Sequence, residues 1–145
     1  SQFALMVPSR LPLWVSTSLS EYYVRKALSF SSLDATTIAT MEGAYLAPEA
    51  TPSGTLIGFQ ARIESQDPDA YRLLMTEGST FWLALDRAIS LASSGTRSLD
   101  DELPEILNAE FGSARLPVAL IDRLRLAAGA AAFDALQARY LGPMQ

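Results

Sequence analysis

Residues 117–141 read PVALIDRLRLAAGAAAFDALQARYL, and the winding of this stretch decides how the rest of the chain must be arranged. At about 100° per residue, Leu120, Leu124, Ala131 and Ala135 form one apolar flank. Leu126, Phe133, Leu136 and Tyr140 form a second, with Ala128 and Ala132 between them. The polar strip is narrow: Arg123, Asp134 and Gln137. A single helix from Pro117 to about Leu141 is therefore expected at the centre of the molecule, buried on two sides and covered by everything upstream.

The 145 residues fit one domain, 1–145, long enough to bury roughly 70% of the surface of the unfolded chain. There is no cysteine and no histidine. Thiol chemistry and disulfide scaffolding are thereby excluded, and so are Ser/His and Cys/His nucleophile pairs and the usual zinc ligand. A formal charge of −5 opposes broad attraction to nucleic acid or to an anionic membrane. Lys26 is the sole lysine among many arginines, and alanine is abundant, a composition associated with GC-rich bacterial genomes. No apolar run reaches the roughly 18 residues needed to span a bilayer. The start, SQFALMVPSR, does not have the form of a signal peptide, so a cytoplasmic protein is expected.

Phe3–Val7 and Leu11–Val15 are short apolar runs around Pro8, expected as two brief edge strands. Ser18-Leu19-Ser20-Glu21 has capping-box form and predicts a helix over 19–30. Asp34 predicts the start of another over 35–47, where Ile38, Met41 and Tyr45 recur at helical spacing before Pro48. From 55 to 64, Ile57, Phe59, Ala61 and Ile63 alternate with more polar residues or glycine, the two-residue period of a half-buried strand. That strand needs a ladder, and the N-terminal strands are its obvious partners.

Asp67-Pro68 predicts the strongest helix of the middle region, capped by Asp67 and running to Ser93. Gly78 lies inside its apolar face, where glycine costs about 1 kcal/mol against alanine. Close contact with another helix, at the Ala128/Ala132 strip, is the expected reason. Asp100 or Asp101 is expected to cap a shorter helix that carries Pro104 in its first turn and ends at Gly112. The acids Asp100, Asp101, Glu102 and Glu105 suit the positive end of its dipole.

Three patterns touch on chemistry. Tyr22-x-x-x-Lys26, with Ser9 thirteen residues before Tyr22, resembles in spacing the catalytic trio of short-chain dehydrogenases, in which lysine lowers the tyrosine pKa. The glycine-rich nucleotide loop and parallel sheet of those enzymes have no counterpart here, so the pair is read as solvent-facing. Leu103–Gly129 has the outline of a helix-turn-helix. Its second helix opens with apolar Pro117-Val118-Ala119-Leu120, and an ordinary hairpin is expected. Carboxylate pairs such as Glu77 with Asp86 do not share a helix face.

The expected fold is α+β and mainly α: about five helices around the C-terminal one, with a two- or three-stranded antiparallel sheet; all-α is the alternative. The expected function, reached by elimination, is a non-catalytic protein-interaction module such as an adaptor, assembly factor or chaperone of a bacterial complex. Its interface would use Trp14, Tyr22, Leu126, Phe133 and Tyr140 against another protein or a second copy. The first alternative is a small-molecule sensor or carrier with Met41, Tyr45, Met75, Phe81 and Trp82 lining an apolar interhelical pocket. The second is an enzyme using carboxylate or tyrosine chemistry. No catalytic residue, metal ligand or cofactor is assigned, and neither nucleic acid nor a membrane span is expected.

Overall fold

The computed structural model describes residues 11–29 and 54–142, and all regular structure within them is helical. In chain order the helices are α1 Leu13–Ser29, α2 Leu56–Glu64, α3 Ala70–Ala92, α4 Leu99–Asn108, α5 Val118–Ala128 and α6 Ala130–Tyr140. The expected strand at 3–7 and helix at 35–47 lie outside the described residues, as do Ser9, Met41 and Tyr45.

The sheet is replaced by helix on both sides of the expected pairing. Residues 13–15 open α1, with the Pro12 carbonyl accepting from Val15 and Ser16 N–H at 3.1 Å. Residues 56–64 wind as α2 because Thr55 caps them: its hydroxyl accepts from Gly58 N–H at 2.9 Å. Leu56, Phe59 and Ile63 then face the core at i, i+3 and i+7. Over so short a run a two-residue alternation and a helical stripe share most of their positions.

Ser18 does not begin a helix. It lies in the second turn of α1, buried, donating to the Trp14 carbonyl, while Glu21 pairs with Arg25 at 2.7 Å. The N-terminus of α1 takes its cap from another helix: Gln60 Oε1 of α2 accepts from Trp14 N–H at 2.9 Å.

The central element is α3 and not the C-terminal stretch. About 35 Å long at 1.5 Å per residue, α3 packs against each of the other five helices. Leu74, Gly78, Phe81, Trp82, Leu85 and Ile89 give it a continuous buried face. It starts at Ala70, two residues later than Pro68, because Asp67 is spent on a turn, accepting from Asp69 N–H at 2.9 Å and from Arg62 at 2.8 Å. At Gly78 the close neighbour is α1: a Cβ built there falls 2.3 Å from Ser18 Cβ. Ser18 Oγ accepts from Trp82 Nε1 at 2.8 Å beside this crossing, and the Trp14 and Trp82 rings lie nearly parallel, 6.2 Å apart.

Gly129 divides the expected C-terminal helix in two. Its φ of +93° is a conformation that side chains oppose, and its N–H closes α5 on the Arg125 carbonyl at 2.9 Å. Its own carbonyl begins α6, accepting from Phe133 N–H at 3.0 Å. The break separates residues that one straight helix would align. Phe133 and Tyr140 enter the core, whereas Leu126 is left 87% exposed.

Helix α4 is capped by Ser98 instead of Asp100 or Asp101, in a capping box completed by Asp101, whose carboxylate accepts from Ser98 N–H at 2.8 Å. Pro104 consequently falls in the second turn and supplies no N–H to the Asp100 carbonyl. The helix stops at Asn108, short of Gly112. Among the described residues no helix is long and apolar enough to cross a membrane.

Candidate functional site

Those aromatic candidate-site residues that fall among the described residues are core. Trp14, Phe81, Trp82 and Phe133 are fully buried, and Tyr22 and Tyr140 almost so. Met75 is half-buried. Phe81 contacts Trp14, Trp82 and Tyr140 edge to face, with ring centroids 4.9–6.3 Å apart. Of the five expected interface residues only Leu126 is exposed.

Tyr22 and Lys26 are not solvent-facing. They converge with residues some 60 positions later on Asp86 of α3, whose Oδ2 accepts from the Tyr22 hydroxyl and from Lys26 Nζ at 3.2 Å. Asp86 Oδ1 accepts from Leu99 N–H at 2.9 Å, holding the first turn of α4. Beside it the Tyr23 hydroxyl donates to Asp100 at 2.6 Å, and Lys26 lies 3.5 Å from the same carboxylate. Burial first, and then donation to these carboxylates, pushes both phenols well above their ordinary value. A tyrosine that serves as a proton donor needs the opposite shift. The cluster's evident role is to fasten α1, α3 and α4 together.

Glu102 plays the corresponding part between α4 and α5. Only 1% exposed, it accepts from Arg97 and from Arg123 Nε, the latter at 2.7 Å. Arg123, expected on a bare polar strip, is thus committed to a buried acid. Among the described residues no group of three or more acids could hold a metal ion.

A site with open capacity lies on the opposite style of surface: an apolar groove between α3 and α6, about 340 Å³ in volume. One wall is a ridge of α3 formed by Thr80, Leu83, Ala84, Arg87, Ala88 and Leu91 at spacings of three and one, about 16 Å long. The other is Ala132, Ala135 and Leu136 of α6. Leu91 is 82% exposed, and Ala131, Ala132, Ala135 and Ala138 of α6 are exposed. Ala131 and Ala135 were expected on a covered flank. Arg87, which sequence patterning did not single out, is the groove's charged lining residue and has no hydrogen bond or ion pair among the described residues. Met75, Phe81 and Trp82 do not line it. No protein-family model, curated protein or solved structure matches the chain.

Proposed function

We propose that this domain is a non-catalytic protein-interaction module, an adaptor, assembly factor or chaperone, whose working surface is the groove between α3 and α6. The observation that carries the reading is the open, largely apolar wall from Leu83 to Leu91 facing Ala132, Ala135 and Leu136. Exposed apolar surface of this kind gains about 25 cal/mol for each Å² removed from water. Its open, elongated form suits a helix laid along α3, and the alanines let a foreign backbone come close. The polar clusters at Asp86 and Glu102 support the reading from the other direction, since their donors and acceptors are spent on joining helices. The same reading takes the module as bacterial, from its composition, and as cytoplasmic. A small-molecule carrier is the second reading, favoured by a volume at the lower end of the range for ligand pockets.

A photo-crosslinking residue at Leu91, with a control at exposed Tyr71 about 30 Å away along α3, tests the proposal in the source cells. A discrete protein adduct from position 91, absent from position 71 and abolished by Ala88→Asp, is the expected outcome. No adduct at 91, or equal adducts at both positions, refutes it.

A further inference from the structure

The groove constrains the chemistry of its occupant through Arg87. Any segment that fills the space between Leu83 and Leu91 also lies against Arg87, and an occupant that desolvates this cation without supplying a counter-charge binds less favourably than one that pairs with it. No described residue supplies that counter-charge. Resting on the interaction-module reading, we propose that the groove receives an amphipathic helix of a partner protein bearing an aspartate or glutamate that pairs with Arg87.

Position fixes the pattern. Arg87 stands four residues after Leu83 and four before Leu91, about 6 Å along the axis from each. The incoming helix therefore carries apolar anchors at i and i+7 with the acid between them, at i+3 or i+4, over about three turns. Ala132 and Ala135 leave room for its backbone. A small amphiphile fits less well because the groove is open along its length instead of enclosing.

The test is selection of displayed helical peptides of about 11 residues, three turns, against the full chain, with counter-selection on Arg87→Glu. Arg87 is exposed and makes no described contact of its own, and circular dichroism checks that this variant and Arg87→Gln remain folded. The expected winners carry the apolar–acid–apolar spacing. They lose roughly tenfold in affinity on Arg87→Gln and on replacement of their acid by the amide, lose more on Arg87→Glu, and regain binding to Arg87→Glu when their acid becomes lysine.

Winners without an acid, or with equal affinity for Arg87→Glu, overturn the carboxylate assignment and leave the module reading standing. Absence of winners overturns the assignment too; combined with absence of an adduct at Leu91, it removes both. Decanoate that saturates the Leu83 and Leu91 methyl shifts, in an Arg87-dependent way and in place of peptide, assigns the groove to a small amphiphile and overturns the proposal. Dimerisation in sedimentation equilibrium that Arg87→Glu abolishes assigns it to a second copy, with the same consequence.

Discussion

Replacing Gly78 by alanine sets two effects of opposite sign against each other. In an isolated helix the change stabilises by about 1 kcal/mol. Here the new Cβ sits 2.3 Å from Ser18 Cβ and 3.1 Å from Ser18 Oγ, against an ordinary carbon separation of about 3.5 Å or more. Neither atom is the far end of a flexible chain, so α1 and α3 must part by about 1.2 Å to restore contact. Overpacking of this kind costs about 1–3 kcal/mol. Parting the helices also stretches the 2.8 Å bond from Trp82 Nε1 to Ser18 Oγ, and an unsatisfied buried donor costs roughly a further 1–3 kcal/mol. Gly78→Ala is therefore expected to destabilise by about 3 kcal/mol, the gain in propensity included.

Urea unfolding followed by tryptophan fluorescence reads this directly, because Trp14 and Trp82 flank the contact. The expected result is a lower midpoint at an unchanged slope. Ser18→Gly in the Gly78→Ala background removes the clashing atom and is expected to recover part of the loss. The remainder persists because Trp82 still lacks its acceptor. A Gly78→Ala protein as stable as the parent, or more stable, would show that the α1–α3 crossing is looser than 2.3 Å implies and would refute the reasoning.

The buried acid of α4 predicts an asymmetry. Arg97→Ala with Arg123→Ala leaves Glu102 without partners in the core and is expected to cost about 3–5 kcal/mol, whereas Glu102→Gln lets two half-exposed arginines turn to solvent and costs less than half as much; equal losses in denaturation would contradict this account. Stability should also fall at alkaline pH. Tyr22 and Tyr23 hold their protons more tightly folded than unfolded, so their contribution is whole below the unfolded value of about 10 and is lost as pH rises toward the folded values. Tyrosinate absorbance should show at least two of the five tyrosines ionising only as the chain unfolds; titration of all five near pH 10 with helicity intact would count against the cluster.

What the sequence conveyed most faithfully was local and long. Helix α3 was legible because its apolar positions recur over 23 residues, and the acids opening α4 because a helix dipole rewards them there. Gly78 was legible as a point of close approach, since a glycine kept inside an apolar face needs a packing reason. The candidate groove was not. Alanine and leucine on a helix flank read the same whether a neighbour covers them or solvent does, and an arginine at helical spacing reads as ordinary surface. Short runs misled for a related reason: in α2 the nine residues satisfy two periods at once, and one cap from Thr55 settles the choice.

The chain alone, through its lack of histidine and cysteine and its helical periodicity, determined a mainly helical protein poor in the commonest catalytic groups. Only the tertiary structure decided which helix is central, which partner Gly78 meets, and that Tyr22 and Lys26 close on Asp86. It also decided that the break at Gly129 turns Phe133 inward and Leu126 outward. The physical reason is range. Propensity, capping and periodicity act over about four residues, whereas burial of one flank over another depends on segments some 60 or more positions away and on the backbone angle of a single glycine.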